Sequence, residues 1–281
     1  MNTSTLAHHH PIQAVIGWLA LMTSVPLLWW AQYSGSQTSV EPVFFIFFHT
    51  TVELASIIIS GLVFVTGFSA MMSARKGAVV FLGVAFLGVA LLDLLHAMSY
   101  VGMPHAITPN TPQKSIFFWL CARTLAALAL LTYALLPTVP DVSNFKKRLS
   151  VALILVCVSV IGAVGLSIPH SLPPLFVTGH GLTPLKLGLE WMIIGLNILA
   201  LALFWKRRKE LANECILALG FAVALSIVSE LFFTMLGAAD QNFANVVGHF
   251  YKLAAYSFHH DSSTAFRWTT PRPDTAGLSI T

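Results

Sequence analysis

Apolar runs about as long as a bilayer is thick follow one another from residue 12 to residue 258, which leaves such a chain few ways to fold. Inside hydrocarbon each backbone N–H and C=O has to be satisfied within the protein, and a helix needs about 20 residues to cross. The runs divide into about eight spans, at approximately 12–33, 43–71, 78–100, 116–136, 149–168, 185–205, 214–236 and 242–258. The last is the shortest. The expected fold is an all-α polytopic membrane helix bundle of about eight transmembrane helices. Composition points the same way: 56% of the 281 residues are hydrophobic and 9% are charged, against roughly 25% charged in a soluble domain. The formal net charge of +4 is small and scattered over short loops. The lipid bilayer is therefore the expected partner, and nucleic acid is not.

Loop charge gives an orientation. Arg75 and Lys76 follow span two; Lys146, Lys147 and Arg148 follow span four; Lys206, Arg207, Arg208 and Lys209 follow span six. The alternate loops carry Glu41, then Lys114, then a Pro/Gly-rich stretch without Lys or Arg before Lys186. The positive-inside rule puts the N-terminus and the basic loops in the cytoplasm, and with eight spans the C-terminus joins them. These cytoplasmic loops, about ten residues each, are too short to hold a catalytic domain, so no enzyme is expected. Residues 1–11, with His8, His9 and His10 before Pro11, read as a flexible tail without the basic n-region of a signal peptide. Cys121, Cys157 and Cys215 lie far apart in or beside apolar runs and read as small buried residues, not a disulfide framework. Gly83 and Gly88 in "FLGVAFLGVALL" read as small residues that let helices approach closely.

Against this background the ionisable residues inside the spans stand out. Each costs roughly 2.5–3.5 kcal/mol at a helix centre on insertion scales, and such residues mark function by default. Span two carries His49 and Glu53 (i, i+4); span three carries Asp93, His96 and Tyr100 (i, i+3, i+7); span four carries Arg123, four residues after Trp119. Lys186 and Glu190 open span six, Glu230 lies in span seven, and His249 and Lys252 lie in span eight. Under the orientation above these residues lie in the outer half of the membrane, with His249 and Lys252 nearer the middle. Spans one and five contribute almost none and are expected at the periphery.

Two readings of this set remain open. One is a network of buried ion pairs that fixes helix register, for example Glu53 or Asp93 with Arg123. The other, which the involvement of six helices favours, is a polar pocket open to the outer side and able to take a small ligand. A haem or transition-metal ion held by His49, His96 and His249 is an alternative occupant, because imidazole suits zinc, copper and iron; no HExxH or Cys cluster accompanies it. His105, His170 and His180 read as ordinary loop residues. In the outer loop "SIPHSLPPLFVTGHGLTPLK", Pro and Gly mark a fixed, non-helical path in which Thr183 N-caps the next helix with Pro184 at its first position. A lid over the pocket, with Lys186 at its rim, is the alternative.

"FHTTVELAS" (48–56), "LLDLLHAMSYVGMP" (91–104), "FWLCART" (118–124), "GLTPLKLGLEWMI" (181–193), "SELFFT" (229–234) and "VVGHFYKLAAY" (247–256) occur in order across the chain. Together they resemble the membrane-associated sensor domains of the third MASE type. The resemblance implies a bacterial inner-membrane sensory module of the kind that precedes histidine kinase or diguanylate cyclase domains. Two-component or cyclic-di-GMP signalling, a cytoplasmic kinase or cyclase partner and a homodimer follow as expectations. It also implies that His49, Glu53, Asp93, His96, Tyr100, Arg123, Lys186, Glu190, Glu230, His249 and Lys252 occupy signature positions. It names no ligand.

The sensor domain is thus expected over 12–258. After "KLAAYSF" the family continues as an apolar and then basic helix, whereas here "HHDSSTAFRWTTPRPDTAGLSIT" (259–281) follows. It reads as a disordered tail of a truncated or frame-shifted sensor, in which case another frame downstream encodes the output domain. The competing functions are an intramembrane metal-dependent hydrolase, with His96, His249 and Asp93 as ligands, and a small transporter, for which no internal repeat is found.

Overall fold

The computed structural model describes residues 9–35, 38–72, 77–105, 107–136, 143–168, 171–177, 179–209, 213–235 and 241–269. Arg75, Lys76, His170, the tail before His9 and residues 270–281 lie outside the described residues. Within them run eight α-helices: α1 (His9–Trp30), α2 (Pro42–Met72), α3 (Gly77–Met98), α4 (Pro112–Leu135), α5 (Asn144–Ser167), α6 (Pro184–Lys206), α7 (Asn213–Phe233) and α8 (Phe243–Thr269). Seven of them, α1 to α7, are long and apolar enough to cross a membrane. The exception, α8, carries Asn245, His249 and Lys252 in its first three turns.

Helix ends follow local chemistry. Thr111 caps α4, Ser143 caps α5 and Thr183 caps α6, each side chain accepting the N–H three residues on (Lys114, Lys146 and Lys186). Pro112 and Pro184 take the first helical positions, where a missing N–H costs nothing. The described part of the expected tail, 259–269, is helical. α8 does not stop at 258 but continues to Thr269. Once a helix is nucleated each further residue adds cheaply, and no Gly or Pro interrupts the sequence until Pro271. At the other end α1 begins at His9, inside the segment expected to be a tail.

Six helices close a ring in the order α7–α8–α2–α3–α4–α6 and back to α7, while α1 packs outside on α7 and α5 packs outside on α3 and α4. Burial reports the same arrangement: α3 and α7 are 72% and 67% buried over their most apolar stretch, α1 and α5 only 11% and 17%. The ring helices are the six that carry intramembrane charge. Small residues set the close approaches. A Cβ on Gly83 would lie 3.0 Å from the Gly67 backbone of α2, and one on Gly88 would lie 2.7 Å from Ile154 of α5. Cys121 is half-buried, but Cys157 is exposed on the outer face of α5, contrary to the buried expectation; a small apolar side chain facing lipid needs no protein cover. The side chain of Cys215 lies outside the described residues.

One half of the ring interior is apolar, with Val63, Leu82, Phe86, Leu130, Phe204 and Val223 meeting from five helices. The other half is polar, and its connecting segments are tied together. The α1–α2 and α7–α8 connections pair across Ser39 and Asn242. Asn110 donates its amide to the carbonyls of Met98, Met103 and Pro104 at 3.1–3.3 Å and so folds the α3–α4 connection. The α5–α6 connection forms a short antiparallel hairpin, β1 (Phe176–Val177) with β2 (Gly181–Leu182). It turns through Gly179 and Gly181, both at positive φ. Gln113 at the start of α4 accepts from the Leu175 N–H at 2.8 Å and anchors the hairpin.

Candidate functional site

All eleven singled-out residues gather in the polar half of the ring, and none is more than 5% exposed. They form two layers. Nearest the connecting segments, His49 (α2), His96 (α3) and His249 (α8) converge with Glu53 (α2), one ligand-capable atom from each lying within 4.8 Å of all the others. His49 Nε2 is 3.2 Å from His96 Nε2, and His249 Nε2 is 3.2 Å from Glu53 Oε1. Tyr100 packs against His49 with ring centres 4.3 Å apart and planes tilted by 30°.

The second layer is ionic. Lys252 donates to both Glu53 oxygens at 2.9 and 2.7 Å and lies 3.1 Å from Asp93 Oδ1, so two carboxylates share one ammonium. Arg123 pairs with Glu230 at 2.6 Å and donates to the Tyr256 hydroxyl at 2.6 Å, which in turn donates to Asp93 Oδ2 at 3.2 Å. Arg123 reaches Asp93 through Tyr256 and not directly, and Glu53 belongs to Lys252, so neither suggested partner of Arg123 is its direct one. Lys186 pairs with Glu190 one turn along α6 and donates to the Phe233 carbonyl of α7 at 3.0 Å.

Trp119 separates the layers. Its ring lies 5.3 Å from His96, 5.7 Å from His249 and 4.7 Å from the Lys252 ammonium, a cation–π distance. Above it is a cavity of about 50 Å³ bordered by His49, His96, Tyr100, Lys186 and His249, with Pro112, Ser115, Ile116, Trp119, Phe233 and Asn245 completing the wall. A water needs roughly 10–15 Å³ on such a measure, so the space suits an ion or a few waters and is small for a haem. Glu53, Asp93, Arg123, Glu190, Glu230 and Lys252 stand behind this wall and do not line it.

Sequence reasoning missed Ser115, Asn245 and Tyr256 as site residues. The signal was present as helical period: Ser115, Trp119 and Arg123 at i, i+4, i+8 share one face of α4, and Asn245, His249, Lys252 and Tyr256 at i, i+4, i+7, i+11 share one face of α8. The ligand set for a hydrolase also differs from expectation. The histidines meet Glu53, whereas Asp93, a helical turn deeper on α3, meets Lys252 and Tyr256. Among the loop histidines, His105 accepts the Asn110 N–H at 3.1 Å and His180 is exposed.

Helix number, ring order and the buried charges describe a membrane domain with a polar interior, and one comparison gives it a family. The family model of a membrane-associated sensor domain, MASE3, matches residues 40–263. The chain belongs to the MASE3 family. No curated protein and no solved structure matches it. The MASE3 match takes in all six ring helices and α5, leaves out α1, and runs past residue 258 into the continued part of α8. This MASE3 protein is a multi-pass membrane protein with a sensor-type domain. All eleven buried polar residues fall inside the matched region.

Proposed function

We propose that the chain senses a small ligand through the histidine-lined cavity and transmits occupancy along α8 to a cytoplasmic signalling output of the histidine kinase or diguanylate cyclase kind. The observation that carries this reading is the single face of α8. It supplies His249 to the cavity, Lys252 to Glu53 and Asp93, and Tyr256 to Arg123. An occupant that draws on His249 therefore acts on the helix whose far end leads away from the site. Such a switch requires an occupant that favours one arrangement of α8 over another.

Orientation follows from charge. The connections at the histidine end carry Lys114 and Lys186, both buried, while Lys146, Lys206, Arg207 and Lys209 lie at the other end. The positive-inside rule supports a cavity on the outer side of the bacterial inner membrane, with the basic connections in the cytoplasm. The ionic layer also argues for sensing over catalysis. Metal-dependent hydrolysis needs a free base beside an activated water, whereas Glu53 and Asp93 are both held by Lys252.

The test is a chimera that joins the chain through α8 to diguanylate cyclase catalytic domains, with cyclic-di-GMP production as the readout. His96→Ala and Glu53→Gln should each shift output at least several-fold while the chain stays folded and membrane-inserted. Output indifferent to both substitutions would remove the sensory reading and leave the polar layer as a packing device.

A further inference from the structure

Resting on the reading of this cavity as the sensing site, we infer that its ligand is a divalent transition-metal ion of the zinc class, bound at the cavity floor between the lining residues His49, His96 and His249 and Glu53 behind them. The hydrogen bonds fix which nitrogen of two imidazoles is free. His96 Nδ1 lies 2.9 Å from the Ser115 carbonyl. It is also 3.0 Å from Ser115 Oγ, whose own proton is committed to the His96 carbonyl at 3.2 Å. Both oxygens accept, so Nδ1 carries the proton and Nε2 presents its lone pair to the cluster. His249 Nδ1 lies 2.8 Å from the Asn245 carbonyl, one turn back on α8, with the same consequence. A backbone carbonyl on the far nitrogen is the arrangement that orients metal-bound histidines.

The near nitrogens turn into the cluster, His96 Nε2 towards His49 Nε2 at 3.2 Å and His249 Nε2 towards Glu53. His249 Nε2 is 3.2 Å from Glu53 Oε1 without the alignment of a hydrogen bond, and among the described residues it has no hydrogen-bond partner. On a neutral ring, a lone pair and a carboxylate oxygen held that close, both nearly fully buried, repel, and a metal ion between them removes the repulsion just as a second proton on the ring would. Lys252 donates to this oxygen too, at 2.9 Å, but its ammonium is shared with the second Glu53 oxygen and with Asp93 and makes no hydrogen bond to His249 Nε2.

The spacing also fits. Bonds of about 2.0–2.2 Å in a tetrahedral shell put neighbouring ligand atoms roughly 3.3–3.5 Å apart. The observed separations of 3.2, 3.2 and 4.0 Å, with none above 4.8 Å, need shifts of about an ångström to close on an ion. Three imidazoles and one carboxylate suit zinc, and also copper(II) or cobalt(II), better than calcium or magnesium, which take oxygen shells. Four protein ligands fill a tetrahedral shell, which matches binding more than hydrolysis. Two of the ligands come from α2, one from α3 and one from α8, so an ion would draw α8 towards the α2–α3 pair.

The test uses the full chain in detergent. His8, His9 and His10 are replaced by Ala, since adjacent imidazoles take the same ions. The protein is stripped with chelator and titrated with Co²⁺ and then Zn²⁺. One equivalent of Co²⁺ should bind with the intense visible bands of four-coordination and be displaced by Zn²⁺. His96→Ala and His249→Gln should each weaken Zn²⁺ binding by more than the 10–100-fold typical of outer-sphere changes, with unchanged elution and helicity, while His180→Ala leaves it unaltered. Should one cluster variant misfold, the other is decisive. A folded chain that takes up no ion, or one whose uptake survives the His96/His249 double substitution, overturns the assignment. The two proposals separate in the chimera. Zn²⁺ binding with output indifferent to Zn²⁺ refutes the sensory role and keeps the site; output that responds to His96→Ala in a chain that binds no Zn²⁺ refutes the site and keeps the sensory role.

Discussion

The two halves of the helix ring share five helices, with α8 added at the polar end, and hold together by different physics. In one half Phe86, Leu130 and Phe204 interdigitate with their neighbours. In the other, Arg123, Lys252 and Lys186 are matched to carboxylates from several helices. Lipid is as apolar as leucine, so the apolar half gains only packing over dispersed helices. The polar half gains something packing cannot give. A charge without its partner is intolerable in hydrocarbon, so only one register of the six helices satisfies all of them. The difference assigns fit to one end and specificity to the other.

The comparison breaks first at the polar end. Arg123→Leu leaves Glu230 buried without its partner and should cost about 3–5 kcal/mol of stability, read by denaturant titration in mixed micelles. The Arg123→Leu/Glu230→Leu double variant should recover most of that loss, because an apolar pair of similar volume leaves no orphan charge. A double variant as unstable as the single one would mean that the pair does more than balance itself.

At the apolar end the expected effect is smaller. Phe86→Ala should cost about 2 kcal/mol, below the ~3–5 kcal/mol of soluble cores, because the transfer from water drops out and the lost packing remains. The same titration measures it, and a loss equal to that of Arg123→Leu would erase the distinction between the halves. Outside the ring the effect should nearly vanish. Val156→Ala on the exposed face of α5 should change stability by less than about 0.5 kcal/mol. A larger change would indicate that α5 is covered by another chain instead of lipid.

Much of this was legible beforehand because the bilayer is a severe solvent. It forces helices of a set length, so spans such as 43–71 and 185–205 fall within a residue of α2 and α6. It also makes every buried charge conspicuous, which is why Glu53, Arg123 and Glu230 could be picked out without coordinates. Ser115, Asn245 and Tyr256 were harder, since neutral polar side chains cost little in a helix and look ordinary in sequence. The continuation of α8 to Thr269 was missed for a related reason. Its residues are too polar to read as a membrane span, but helix propagation does not require an apolar run.

By itself, then, the sequence determined a bundle of membrane helices, the six that carry charge, and the depth at which that charge collects, because hydropathy and helical period are local properties. Only the tertiary structure decided the partners. That Arg123 goes to Glu230, that Lys252 bridges Glu53 and Asp93, and that three histidines meet Glu53 instead of Asp93 all depend on rotation of each helix about its axis. Packing fixes that rotation, through close approaches such as Gly83 against Gly67, and no single helix encodes it.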